Sequence, residues 1–149
     1  MENYSLRIQS TDIAKLKSHA EMTFPEECCG VLIGKQQDGI FIVDETRPMR
    51  NINESKNTRF NIDPFDLIKL EDELDAESRL MIGIYHSHPN HPPKPSETDL
   101  KFAWPSLNYI IVSVVDGKMG QITSWTLSET ENKKQFVEVV VNVEQKYLQ

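Results

Sequence analysis

The chain has 149 residues, of which 38% are hydrophobic and 26% charged, values that predict one globular domain spanning residues 1–149. Its formal net charge of −7 gives a surface that repels phosphate backbones, so we expect no nucleic-acid partner. The length also excludes a (β/α)8 barrel, which needs about 200 residues or more.

Cysteine usage and hydropathy predict a cytoplasmic protein. Cys28 and Cys29 are adjacent, and adjacent cysteines rarely form a disulfide because its geometry is strained. We therefore expect two reduced, buried thiols. No run of 18 apolar residues is present, which predicts no membrane span, and the first residues lack the basic and apolar regions of a signal peptide.

The first half of the chain predicts a strand, a helix and a hairpin. Residues 5–9 alternate weakly and predict a strand, and an apolar stripe then predicts a helix to about Thr23 that Pro25 ends. Two short apolar runs, 31–33 and 40–43, flank a turn predicted over residues 36–39. The polar segment Thr46 to Arg59 is interpreted as a connection.

The second half begins with a helix, because Asp63 is a good cap and Pro64 suits the first turn. A strand over 80–85 leads directly into His86-Ser87-His88-Pro89, and a short helix is predicted from Ser96 to about Ala103. Three further β-type runs are predicted at residues 109–115, 119–127 and 136–143.

These elements do not alternate strictly between strand and helix. With six or seven strands and three helices, they predict an α+β fold with a mixed, largely antiparallel sheet. Helices are expected to flank this sheet in α-β-α layers.

His86 and His88 are the candidate metal ligands. Residues i and i+2 of a strand point the same way, so both imidazoles face one side at the strand end, which is half of a zinc site. Asp99 on the following helix can supply a third ligand. Each signal has a plainer explanation, because bare His-x-His pairs are common and Ser96-x-x-Asp99 is also a capping-box pattern.

The combined pattern, His-x-His-Pro followed by a loop and Ser-x-x-Asp, resembles the signature of the JAMM (MPN+) metallopeptidases. Upstream, Pro25-Glu26-Glu27-Cys28-Cys29-Gly30 is similar to the Pro-x-Glu-x-Cys-Gly segment of small stand-alone bacterial members. Asn51, Phe60 and the segment 61–64 also resemble family positions. The resemblance covers about residues 6–143 and implies the MPN, cytidine-deaminase-like layering.

The resemblance implies a role for each site residue. His86, His88 and Asp99 would bind one Zn²⁺ per chain and leave a position for water. Glu27 would act as the general base, while Glu26 points to the opposite side of an extended chain. Ser96 would donate a hydrogen bond to the oxyanion. Cys28 and Cys29 are expected to be structural, and His91, which could serve as a third imidazole, is expected to be an exposed polar residue.

The family also implies a substrate, a ubiquitin-like or sulfur-carrier protein cleaved at its flexible C-terminal Gly-Gly tail. Alternatives are a hydrolase of cell-wall or phage-tail peptides and a non-catalytic MPN scaffold. A cupin-like metal protein is weaker, because no histidine follows His91. Exposed strand edges would be compatible with a homodimer.

Overall fold

The computed structural model describes residues 4–130 and 133–145. Its helices are α1 (Ser10–Thr23), α2 (Pro64–Ala76) and α3 (Glu97–Phe102). Its strands are β1 (Ser5–Gln9), β2 (Cys29–Gln37), β3 (Ile40–Met49), β4 (Leu80–Pro89), β5 (Asn108–Val115), β6 (Lys118–Thr130) and β7 (Lys133–Glu144). Every predicted helix and strand is present. No helix in these ranges is long and apolar enough to cross a membrane.

The strands form one sheet in the order β1-β3-β2-β4-β5-β6-β7, and β1 also pairs with β7, so the sheet closes on itself. Pairs β1–β3, β1–β7 and β4–β5 are parallel, and the other four are antiparallel. The predicted α+β class with a mixed sheet is confirmed. The closure of this sheet through the β1–β7 pair has no signal in the sequence. Every described strand has neighbours on both sides, so the free edges invoked for a homodimer do not exist in these ranges.

Two local signals in the sequence act as predicted. The side chain of Asp63 accepts a hydrogen bond of 2.9 Å from the backbone N–H of Phe65, and Pro64 starts α2. Asp38 and Gly39 have φ values of 52° and 79°, which makes them the two-residue turn between β2 and β3.

The interpretation of Thr46 to Arg59 as a connection is wrong for its first four residues. Thr46 to Met49 continue β3 and pair with Leu32 to Cys29 of β2. The run Thr46-Arg47-Pro48-Met49 has no apolar alternation that would predict a strand, and Arg47 forms ion pairs with Glu45 and Glu73. Backbone pairing and surface charges therefore stabilise a strand that has no apolar alternation.

The helices pack against both faces of the sheet. Leu16 and Ala20 of α1 join the main core, which includes Leu32 of β2. The neighbouring residues Val31 and Ile33 belong instead to a second cluster with Leu70 and Leu74 of α2. Because side chains alternate along a strand, α1 and α2 lie on opposite faces. The cleft described below lies on the α2 face.

Candidate active site

The end of β4 positions two buried histidines. His86 and His88 are separated by one residue, so both side chains point to the same face, and they are 2% and 9% exposed. β4 runs parallel to β5 here, with His86 opposite Ile111 and His88 opposite Ser113. This pairing gives the two imidazoles a rigid support.

Helix α3 brings Asp99 to the same point. Ser96 caps the helix: its Oγ accepts from the backbone N–H of Asp99 at 3.0 Å, and the backbone N–H of Ser96 donates to Asp99 Oδ2 at 2.8 Å. Asp99 Oδ1 lies 3.4 Å from His86 Nε2, and Asp99 Oδ2 lies 3.4 Å from His88 Nε2. The capping box thus orients the carboxylate towards both imidazoles.

These three side chains have the spacing of a metal site. The two Nε2 atoms are 3.0 Å apart, and one ligand atom from each of the three residues lies within 4.8 Å of the others. A tetrahedral zinc ion with bonds of about 2.0–2.2 Å has ligand atoms about 3.3–3.6 Å apart. The donor set therefore fits one such ion with little movement.

Hydrogen bonding and burial set the orientation and the protonation of the two imidazoles. His88 Nδ1 lies 2.9 Å from the carbonyl oxygen of Pro92 and can donate to it, which directs the Nε2 lone pair into the site. Burial lowers the pKa of His86, favouring the neutral ligand form. Burial also opposes the charged form of His88, but hydrogen bonds to Asp99 and Pro92 outweigh it and raise the pKa of His88. The Phe60 ring stacks on His86 with ring centroids 4.4 Å apart.

Glu27 is buried beside this cluster, and its neighbour Glu26 is exposed, as the extended chain predicts. Burial is the main cause that raises the pKa of Glu27, to about 7; the charge of Asp99 adds to the rise, and the charges of His88 and Arg59 oppose it. Hydrogen bonds fix the backbone N–H and carbonyl groups of Glu27. The N–H of Glu27 donates to the Lys56 carbonyl at 2.7 Å, and Asn51 Nδ2 donates to the Glu27 carbonyl at 3.0 Å.

Ser87 links the Glu27 segment to the histidine strand. Its Oγ accepts from the backbone N–H of Cys28 at 2.8 Å, and its own N–H donates to the Cys28 carbonyl at 3.1 Å. Cys28 and Cys29 are free and buried, as expected. Burial raises the pKa of these thiols to about 11 and about 12, so both are protonated at neutral pH.

The remaining two histidines lie in different surroundings. His91 is exposed on the loop after β4, at the margin of the site. His19 is half-buried on α1, where its Nδ1 lies 2.7 Å from the hydroxyl of Tyr85. Neither is among the residues whose ligand atoms converge.

All five predicted site residues line one cleft of about 1160 Å³. The segment before α2 also lines the cleft, and the sequence pattern assigns no function to its residues Arg59, Phe60 and Asn61. Phe60 and Asn61 only resemble family positions, and Arg59 carries no sequence signal. Exposed aromatic side chains of Phe102 and Trp104 border the cleft on the α3 side.

Comparisons with known proteins establish the family of the chain and agree with its fold. A family model for prokaryotic homologues of the JAB domain matches residues 11–128, and the chain therefore belongs to this family. It is 34% identical over 117 residues to a desampylase of Pyrococcus furiosus, covering 77% of this chain and 76% of the relative. It is 29% identical over 138 residues to the CysO-cysteine peptidase of Mycobacterium tuberculosis, covering 92% of both.

The fold has a solved counterpart. The solution structure of protein DSY2949 from Desulfitobacterium hafniense superposes with a TM-score of 0.81, covering 95% of this chain and 94% of that one. At 24% identity, this likeness establishes a shared fold only.

Proposed function

We propose that this chain is a zinc-dependent peptidase that hydrolyses an amide bond at the C-terminal Gly-Gly tail of a ubiquitin-like or sulfur-carrier protein. The observation that carries the proposal is the convergence of His86, His88 and Asp99 in one cleft with a buried carboxylate, Glu27. The similarity to a desampylase and to a CysO-cysteine peptidase supports the substrate class.

The metal site consists of the Nε2 atoms of His86 and His88 and the carboxylate of Asp99. A zinc ion held there would be the Lewis acid of the reaction, able to lower the pKa of a water molecule and to polarise the scissile carbonyl. The protein prepares this site before the ion arrives, because Pro92 orients His88 and the α3 capping box orients Asp99.

Glu27 is the general base and then the general acid. A pKa of about 7 is suited to both steps, because the carboxyl group can accept and release a proton near neutral pH. It takes a proton from the attacking water and delivers a proton to the leaving nitrogen as the C–N bond breaks. The products are a carrier that ends in Gly-Gly and a free amine.

Ser96 stabilises the developing oxyanion. Its hydroxyl oxygen is already used as an acceptor from the backbone N–H of Asp99, which leaves the hydroxyl hydrogen free to donate. Ser96 lines the cleft and is exposed, so this hydrogen can reach a bound substrate. A single donor of this kind typically contributes roughly 10²–10³ in rate.

A Gly-Gly tail suits the burial of the site. His86 and His88 lie below the surface, and the substrate backbone has to approach them closely. Residues without a Cβ allow that approach without a steric clash.

The experiment that tests the proposal uses a sulfur-carrier domain ending in Gly-Gly-Ala and follows loss of the terminal alanine by intact-protein mass spectrometry. We expect release by the zinc-loaded protein and none by Glu27→Gln, while the matched variant Glu26→Gln remains active. Cleavage of peptidoglycan stem peptides instead would favour the cell-wall alternative. Stoichiometric binding of the carrier without cleavage would favour a non-catalytic scaffold.

A further inference from the structure

Arg59 differs from every other arginine of the chain. Arg7, Arg47, Arg50 and Arg79 each form an ion pair with a carboxylate. Among the residues whose side chains the structure describes, 4–128 and 133–145, Arg59 forms no ion pair, although its charge acts on the Glu27 carboxylate and lowers the pKa of Glu27. An exposed guanidinium outside any ion pair is available for an anion on a ligand.

Its position is inside the catalytic cleft. Arg59 Nη1 donates to Thr98 Oγ1 at 2.8 Å, and Thr98 directly precedes Asp99. Arg59 lines the same cleft as Glu27 and the three proposed metal ligands. Two lysines, Lys94 and Lys101, also line this cleft, so its rim is more cationic than the protein as a whole.

We propose that Arg59 binds the C-terminal α-carboxylate of the residue after the scissile bond and thereby selects substrates in which one amino acid follows Gly-Gly. The inference rests on the proposed function. Water adds across the amide, the C–N bond breaks, and a free amino acid leaves. Arg59 is a specificity-determining residue that makes the protein a carboxypeptidase in preference to an isopeptidase.

Chain geometry favours a single residue after Gly-Gly. Consecutive Cα atoms are 3.8 Å apart, so an α-carboxylate on that residue remains next to the reacting carbonyl. Each further residue moves the carboxylate up to about 3.3–3.6 Å away. An isopeptide-linked lysine places no carboxylate at this position at all.

The guanidinium chemistry matches a carboxylate. Arginine has five N–H donors in a planar fork that can hold a carboxylate by two parallel hydrogen bonds. The bond to Thr98 occupies one donor group and restrains the side chain, leaving other N–H groups for the ligand. Holding the side chain in place before binding reduces the entropy lost on binding.

The test compares three substrates built on one sulfur-carrier domain: Gly-Gly-Ala with a free carboxylate, the same chain with a C-terminal amide, and Gly-Gly joined to a lysine side chain of a peptide. We expect the wild type to prefer the free acid by about tenfold in kcat/KM, the low end for a charge-assisted hydrogen bond at an exposed site. The preference should lie mainly in KM, because the carboxylate is bound before the reaction.

Arg59→Gln should lower kcat/KM for the acid about tenfold more than for the amide, and so abolish the preference. Arg59→Lys should keep part of it. Lys15→Gln, which removes an exposed charge on α1, should leave the ratio of acid to amide unchanged.

Two results would overturn the inference alone: equal rates of the wild type on acid and amide, or an equal loss on both substrates in Arg59→Gln. The second would restrict Arg59 to supporting α3 through Thr98 and to its charge effect on Glu27. If the zinc-loaded wild type cleaved none of the three substrates, the proposed function would fail and this inference with it.

Discussion

The side-chain amide of Asn51 donates a hydrogen bond of 3.0 Å to the backbone carbonyl of Glu27, 24 residues earlier in the chain. The same amide donates to the Arg59 carbonyl, and Asn51 Oδ1 accepts from the backbone N–H groups of Asn53 and Asn61. One side chain thus fastens the segment before α2 to the start of β2. It joins the proposed general base to the segment that carries Arg59.

The variant Asn51→Asp tests this link. Aspartate keeps the acceptor oxygen but replaces both donors with an acceptor, leaving the carbonyls of Glu27 and Arg59 without their partner. We expect a loss of about 1–3 kcal/mol in the free energy of unfolding, measured in urea, and a lower kcat at unchanged zinc content. Asn53→Ala is the matched control, because Asn53 Oδ1 accepts only a local bond from Ser55. Equal stability and kcat in both variants would show that Asn51 does not position Glu27.

Glu27 should make the metal-free protein less stable as the pH rises. Its pKa of about 7 in the folded chain exceeds the ordinary value of 4.5, so between these values the folded state binds more protons than the unfolded state. The free energy of unfolding therefore falls as pH rises through this window. Removing this group by Glu27→Gln should stabilise the metal-free protein, relative to wild type, by about 2–3 kcal/mol more at pH 8 than at pH 5.

Urea unfolding in a chelating buffer measures this difference at the two pH values. Glu26→Gln is the control, since Glu26 is exposed and its removal should leave the pH dependence as in wild type. A wild type and a Glu27→Gln variant with parallel pH profiles would refute the burial-raised pKa of Glu27.

Ser96 combines two roles that different substitutions separate. Ser96→Thr keeps the hydroxyl group and the cap, so we expect near wild-type stability and rate. Ser96→Ala removes both, which should cost about 1 kcal/mol of stability and roughly 10²–10³ in kcat with zinc retained. Thermal unfolding and steady-state kinetics measure the two effects. Full activity of Ser96→Ala would leave Ser96 with its capping role only.

Much of the fold can be predicted from local sequence signals. Asp63-Pro64 marks the start of α2 and Asp38-Gly39 marks a turn, because each uses the conformational preferences of its own residues. The closure of the sheet cannot be predicted in this way. It depends on β1 pairing in parallel with β7, for example Leu6 with Val141, and no short sequence window contains both strands.

The candidate site likewise has a part that local sequence patterns predict and a part that depends on long-range contacts. Fixed spacing on one strand and one helix, together with the family resemblance, is enough to single out His86, His88 and Asp99 in the sequence. The supports around them leave no periodic pattern, because Asn51 and Ser87 act through bonds to backbone groups 24 and 59 residues away. The interest of Arg59 lies in its hydrogen bond to Thr98 and in its lack of an ion pair with any described side chain, and both are properties of the folded chain.

The most direct test of the proposed zinc centre is the metal content of the purified protein, measured by elemental analysis. We predict about one zinc per chain in the wild type and almost none in His88→Ala or Asp99→Asn. His91→Ala and Glu97→Gln, which alter exposed neighbours of the ligands, should retain it. A wild type that binds no zinc after supplementation, or ligand variants that keep a full equivalent, would contradict a zinc centre at His86, His88 and Asp99.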